Sequence, residues 1–277
     1  MRTDDLTGRT ALVTGAGSGI GRETALLCAA RGADLALCDV DVDGLAAVEA
    51  IVRGRGRSVL ARQIDVADRE AMRAFSAEVG GQIGAVDLLV NNAGVGLVGG
   101  FLDTELEDWD WIVSINILGV VHGCHFFLPP MVARGSGHVV NLASMAGYFA
   151  NPALGAYSAT KFAVLGLSEA LGEELHGTGV GVTAVCPGII NTPITRSSRA
   201  RSAADDPETR ERFARLYERR NYTPERVAQN ILKAVERDRA VAPVAPEAWA
   251  GYALKRLSPA LKGWVSRKLA TVADNGR

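Results

Sequence analysis

The chain is poor in the residues that build metal centres and disulfide scaffolds. It has four cysteines and four histidines in 277 residues. Cys28, Cys38, Cys124 and Cys186 stand apart in apolar surroundings, with no Cys-x-x-Cys pair and no histidine cluster. That pattern argues against a zinc site and predicts buried free thiols in a reducing compartment, the cytoplasm. No charged stretch followed by an apolar core opens the sequence, so no secretory leader is expected. Without export, the sequon Asn221-Tyr222-Thr223 carries no meaning. No run approaches the ~18 apolar residues of a spanning helix. Nor does one sign of charge dominate: the formal net charge is −1, which argues against a dedicated nucleic-acid binder. The balance is uneven along the chain, however. From Ile194 onward there are 18 Lys and Arg against 10 Asp and Glu, and before it 12 against 21.

A chain of this length, 48% hydrophobic, can enclose one large core. Short apolar runs alternate with helical patterns. The runs Thr10–Thr14, Asp34–Asp39, Ser58–Ile64, Val86–Asn91, His138–Leu142, Val180–Cys186 and Ala240–Val244 read as strands. Helices are expected near Gly19–Arg31, Asp43–Arg53, Asp68–Val79, Leu106–Arg134, Ala156–His176 and Pro224–Arg237, the fourth opened by a capping box at Thr104-Glu105-Leu106-Glu107. Such alternation predicts an α/β fold, a doubly wound parallel sheet with right-handed crossovers and helices on both faces. No repeat or linker divides it. Beyond Val244, Trp249, Tyr252, Leu254, Leu257, Leu261, Trp264, Val265 and Leu269 interleave with Lys255, Arg256, Lys262, Arg267 and Lys268. This is an amphipathic pattern broken near Pro259. We therefore expect a catalytic domain over 1–248 and a basic amphipathic extension over 249–277. Packing within the protein is the plain reading of the extension, with contact to a membrane surface as its alternative.

Two local patterns carry chemistry. The run Leu12-Val13-Thr14 passes directly into Gly15-Ala16-Gly17-Ser18-Gly19-Ile20-Gly21 and then a helical pattern. Strand, glycine turn and helix in that order form a dinucleotide cradle. Gly15 permits the tight turn, Gly19 the approach of backbone to pyrophosphate, and Gly21 close helix packing. Free N–H groups at the helix start attract phosphate. Asp39 ends the second strand, where its carboxylate can accept from the adenine-ribose hydroxyls and repel a 2′-phosphate. That charge makes NAD rather than NADP the expected cofactor. The second pattern is Tyr157-Ser158-Ala159-Thr160-Lys161. Residues four apart share a helix face. The ammonium of Lys161 can therefore sit beside the Tyr157 phenol and pull its pKa down from the free value of ~10 toward neutrality.

With these motifs the chain resembles the short-chain dehydrogenase/reductase family over nearly its whole length. Thr14 to Gly21 is similar to the family's cofactor motif, and Asn91-Asn92-Ala93-Gly94 to the motif closing its fourth strand. Asn116, Ser144, Tyr157 and Lys161 fall in the order and spacing of its catalytic tetrad. Pro187-Gly188 with Thr192 is similar to the segment that meets the nicotinamide. The resemblance implies a seven-stranded Rossmann sheet. It implies Tyr157 as acid/base, Ser144 holding the same substrate oxygen, Lys161 tuning Tyr157 and gripping the nicotinamide ribose, and Asn116 holding a water that links Lys161 to solvent. Asp65 and Val66 would hold the adenine, with Asn92, Ala93 and Gly94 near ribose and adenine. Ile189, Ile190 and Thr192 would meet the carboxamide side. It implies, too, that polar Ile194–Asn221 is a mobile lid over the substrate, and that the two longest helices pair in a homodimer or homotetramer.

Met145, Tyr148, Phe149, Leu154 and Ile194 flank these residues and would line an apolar pocket. Only Lys161 among cations lies near Ser144 or Tyr157 in sequence, so an apolar secondary alcohol or ketone is favoured over a small anion. The segments from Arg215 to Glu225 and from Ala240 to Glu247 resemble reductases of lipid-rich actinobacteria. The expected function is hydride transfer between NAD and such a substrate. Alternatives on the same fold are a catalytically silent NAD sensor, disfavoured by the intact tetrad, and a membrane-associated scaffold using the basic tail.

Overall fold

The computed structural model describes residues 1–201, Glu211, Arg215 and 221–258. Seven strands form one parallel sheet: β1 (Thr10–Thr14), β2 (Asp34–Asp39), β3 (Val59–Gln63), β4 (Leu88–Asn91), β6 (Gly137–Leu142), β7 (Val180–Pro187) and β9 (Val241–Val244). Their spatial order is β3-β2-β1-β4-β6-β7-β9. Leu12 and Val13 in β1 and Leu35 and Leu37 in β2 are fully buried, because helices cover both faces of a parallel sheet and leave no polar side. One core lies under α1 (Gly19–Ala30), α2 (Val42–Gly54) and α8 (Pro224–Glu236). The other lies under α3 (Arg69–Gln82), α5 (Gly119–Arg134) and α6 (Gly155–Glu174).

The order of strands decides where a ligand can go. The chain runs outward from β1 through β2 to β3, then returns to the other side of β1 to place β4. Crossovers therefore diverge between β1 and β4, and a crevice opens outside their carboxyl ends. The glycine turn leaves β1 there, and Asn92–Gly94 leaves β4 beside it.

The helical run Leu106–Arg134 differs from expectation in two ways. Thr104 does not cap it: its hydroxyl donates to the Gly100 carbonyl at 2.8 Å, closing the 3₁₀ turn Phe101–Asp103, and Glu105 stands at the N-cap with no side-chain cap bond. The run is also not uniformly α-helical. Between α4 (Leu106–Val113) and α5 lies a π turn, Ser114–Leu118, in which the Gly119 N–H reaches back five residues to Ser114 O. By length and mean hydropathy this run could cross a bilayer. Here Ile112, Cys124, Phe127 and Met131 are buried in the protein's own core.

A two-stranded ladder, β5 (Leu97–Val98) with β8 (Arg199–Ala200), stands apart from the main sheet. Its strand β8 follows a short helix, α7 (Ile194–Ser197). The amphipathic pattern after Val244 forms α9 (Pro246–Leu257). Its continuation past Pro259 lies outside the described residues.

Candidate active site

The glycine turn is held open by backbone geometry and closed behind by polar contacts. Gly15 and Gly19 have φ of +64° and +52°, a region that favours glycine. A Cβ on Gly15 would lie 2.8 Å from Ala93 Cα, and one on Gly21 would strike the Gly15 carbonyl. The Asn92 amide donates to Thr14 O at 2.9 Å and Gly15 O at 3.0 Å, while Thr14 Oγ1 accepts from the N–H groups of Asn92 and Ala93. Thr14 and Asn92 thus lace the ends of β1 and β4 together. Ser18 is the N-cap of α1, and its side chain makes no capping bond; Ile20 and Gly21 belong to that first turn.

Asp39 does more than end β2. Its carboxylate accepts from Gly17 N at 2.7 Å and Asp41 N at 2.9 Å, so the residue expected to choose the cofactor also shapes the glycine loop. Val40 beside it is 60% exposed. Asp65 is exposed and its side chain accepts from Ala67 N. Buried Val66 packs where a Gly119 Cβ would otherwise sit, and its carbonyl meets the His122 ring at 2.8 Å.

Across the crevice lie the four tetrad positions. Lys161 is buried, and its ammonium donates to Leu142 O at 2.8 Å. Burial pulls its pKa down from 10.5 to about 8, because an ammonium loses hydration there. The same Nζ stands 5.7 Å from the centre of the Tyr157 ring. Ser144 follows β6 and accepts from Ala146 N. Asn116 sits in the middle of the π turn, fully buried, with Oδ1 accepting from Val95 N at 2.8 Å and Nδ2 donating to Val95 O and Thr160 Oγ1. Single π turns in α-helices often mark functional sites. Here the turn presents Asn116 to the loop after β4.

The loop after β7 completes the cleft. Pro187 ends the strand, Gly188 N donates to Val244 O, and Ile190 and Thr192 are buried. A Cβ on Gly19 would lie 3.6 Å from the Thr192 side chain and from Pro193 Cδ. The two ends of the expected cofactor site therefore converge on one crevice. The family profile for short chain dehydrogenase matches residues 9–203. The chain belongs to that family.

Relatives and solved structures agree with the assignment. EphD of Mycobacterium tuberculosis, named an oxidoreductase, is 41% identical over 252 residues, which are 89% of this chain. The chain spans only 43% of the length of that relative. SadH of the same organism, also named an oxidoreductase, is 39% identical over 254 residues, 90% of this chain and 91% of SadH. A short-chain dehydrogenase/reductase from Burkholderia phymatum, solved in complex with NAD, superposes with a TM-score of 0.84 at 32% identity, covering 95% of this chain and 97% of that one. Levodione reductase superposes at 0.79 and 32% identity, covering 88% and 99%.

Tyr157, with Val95, Trp109 and Trp111, packs against a small apolar cluster of Leu97, Ile112 and Ala156. The β5–β8 ladder backs this group, and Gly99 N bonds Ala153 O on its other edge. Arg201 makes two bonds of 2.7 Å to Asp108, which is wholly buried, and Arg199 lies over the Trp111 ring at 3.7 Å while reaching Asp108 at 3.4 Å. The Arg201 guanidinium holds the Asp108 carboxyl below its usual pKa. Arg199 and Arg201, within the expected lid, are thus tied to α4. Residues 202–210, 212–214 and 216–220 lie outside the described residues.

The expected pocket lining needs one correction. Tyr148 is 1% exposed and its hydroxyl donates to Ala248 O at 2.7 Å. It is a core tie between the Ser144 turn and α9, not a wall. Met145 and Phe149 are half-buried against the same core. Sequence reasoning also missed Thr160, whose hydroxyl donates to Tyr157 O and accepts from Asn116. Its place between Tyr157 and Lys161 was the available signal. Glu247 was missed too: its Oε1 accepts from Ile189 N at 2.9 Å, and nothing local in the sequence announces a contact across 58 positions.

Proposed function

We propose that this protein is an NAD-dependent oxidoreductase interconverting a secondary alcohol and a ketone on an apolar substrate. The observation that carries the reading is the buried Lys161 ammonium, 5.7 Å from the Tyr157 ring centre in the crevice closed by the glycine turn. The residues fit a dinucleotide. The uncapped first turn of α1 offers free N–H groups, and Gly15 and Gly21 leave backbone where side chains would collide. At Gly94 a side chain would lie 3.1 Å from Asn116 Oδ1 and 3.5 Å from Lys161 Nζ.

In this reading Gly15, Gly17, Ser18, Gly19, Ile20 and Gly21 hold the pyrophosphate, and Asp39 the adenine ribose. Asp65, Val66, Asn92, Ala93 and Gly94 hold the adenine side, and Pro187, Gly188, Ile190 and Thr192 the nicotinamide. The bound cofactor supplies or accepts the hydride. In the oxidative direction Tyr157 takes the hydroxyl proton as the carbinol carbon loses hydride; in reduction it gives that proton back. Ser144 donates to the substrate oxygen and orients it. Lys161 favours the phenolate by its charge. Asn116 fixes Val95 and Thr160, and the Thr160 hydroxyl in turn donates to Tyr157 O.

The wall around Tyr157 supports an apolar substrate, because it is built from Val95, Leu97, Trp109, Trp111 and Ile112, and because Arg199 and Arg201 both pair with Asp108. The four free, buried cysteines support a reducing, cytoplasmic setting. Exposed Leu118, Val121 and Val132 on the run into α5 and Phe162 on α6 support a homo-oligomer paired through these helices. A mass near the 29.2 kDa monomer by light scattering would overturn the last point. The function is tested by screening secondary alcohols and ketones with NAD and NADH, following absorbance of the reduced cofactor, with Tyr157→Phe as control. Turnover by the parent and none by Tyr157→Phe is the expected result.

A further inference from the structure

The first turn of α9 contacts both flanks of the candidate site. From one side, Glu247 Oε1 accepts the Ile189 N–H at 2.9 Å. From the other, Ala248 O accepts the Tyr148 hydroxyl at 2.7 Å. Gly251 lies where a Cβ would touch Tyr148, Phe149 and Met145, the turn that follows Ser144. Glu247 also fills the space a side chain at Gly188 would take, since a Cβ there would sit 2.5 Å from Glu247 Oε1.

The chain is bent to make this contact. Ala245, between β9 and α9, is buried with φ +86° and ψ 151°. That region is almost reserved for glycine, and a residue with a Cβ stays there only when its surroundings hold it. Strain of this kind collects where a structure must aim a group. Here it turns the helix start so that Glu247 points back at the loop leaving β7.

We infer that Glu247 is a positioning residue for the nicotinamide-side loop, and that α9 serves as an internal brace of the cofactor site. The inference rests on the dinucleotide reading above. The carboxylate fixes the Ile189 amide plane, and with it Gly188 and Ile190, through a charge-assisted bond; a neutral amide oxygen can accept the same N–H, more weakly. Loss of the acceptor leaves a part-buried N–H without its partner and lets the loop rotate.

The test is titration of each protein with NADH, following quenching of protein fluorescence, beside thermal melts. Glu247→Ala should weaken NADH binding about tenfold, or about 1.4 kcal/mol. Glu247→Gln, which keeps the acceptor, should stay within about threefold of the parent. Should Glu247→Ala fail to fold, Glu247→Asp, one methylene too short, takes its place with the same expectation. Glu247→Ala or Glu247→Asp binding NADH like the parent would overturn the inference and leave the dinucleotide reading standing. So would equal weakening in Ala and Gln variants, which would mean that charge rather than positioning matters. A parent protein that binds neither NADH nor NADPH would overturn both.

Discussion

Lys161 and Tyr157 stand one turn apart on α6, with the ammonium 5.7 Å from the ring centre and bonded at 2.8 Å to Leu142 O. The Leu142 carbonyl, at the end of β6, fixes the long side chain so that its charge does not wander. A fixed cation acts on the phenol without reorganising during proton transfer. Tyr157→Phe should therefore abolish turnover while leaving the NADH dissociation constant within about twofold, since only the reacting hydroxyl is removed. Lys161→Ala should damage both turnover and NADH binding. Retention of most activity by Tyr157→Phe would refute the acid/base role.

The depressed pKa of Lys161 makes a second expectation that needs no substrate. The folded value is about 8 against 10.5 for the free side chain. Between those values the unfolded chain keeps a proton that the folded chain has released. Stability therefore rises with pH across the window: the cost of burying the charge is whole below about 8 and gone above 10.5. Relative to Lys161→Met, the parent should gain stability in urea unfolding as pH climbs through this range. A difference that stays constant would mean the ammonium keeps its hydration.

Asp39 joins two tasks that are usually discussed apart. Because it accepts from Gly17 N and Asp41 N, its removal both withdraws the charge that would repel a 2′-phosphate and loosens the glycine loop. Asp39→Ala should narrow the preference for NAD and also lower kcat/KM with NAD. Asp39→Asn retains an acceptor for the loop, so it should narrow the preference with a smaller loss. Adding Val40→Arg to either should move the preference toward NADP. Equal efficiency of the parent with both cofactors would sink this assignment.

The sheet was legible because its strands are apolar runs closed by residues of strong turn preference. Thr10–Thr14 and Asp34–Asp39 lie where expected, and Ser58–Ile64 loses one residue at each end. The glycine turn and the Tyr157–Lys161 spacing were legible for the same reason: each is a local pattern with a local cause. What escaped is non-local. The π turn at Asn116 accompanies the docking of its side chain on Val95 and Thr160, which no helical period reveals. The β5–β8 ladder is two residues wide, too short for alternation to register. Thr104 satisfies every sequence rule of a capping residue, yet its hydroxyl closes the preceding 3₁₀ turn. A competing acceptor three or four residues back won over the cap.

The bond between Asp108 and Arg201 gives the last expectation, about the wall beside the substrate. Asp108 is on α4, the same helical run that carries Asn116, so one rigid element grips Val95 at one point and the end of β8 at another. Removing one partner of a fully buried ion pair costs ~3–5 kcal/mol. Arg199 and Arg201 are each more than a third exposed and can rehydrate, so the effect of Asp108→Ala should fall below that range and appear as local opening. Amide exchange at Arg199 and Arg201, whose N–H groups bond Gly96 O and Val98 O, should speed up roughly tenfold or more. Exchange in β1 should not change. If Ile194–Arg201 walls the substrate site, a series of alkyl ketones should gain about 0.8 kcal/mol of transition-state binding per buried methylene in the parent. Asp108→Ala should flatten that series while leaving NADH binding intact. Unchanged protection at Arg199 and Arg201 would mean the ladder holds without its anchor, and preference for small charged keto acids would overturn the apolar-substrate reading itself.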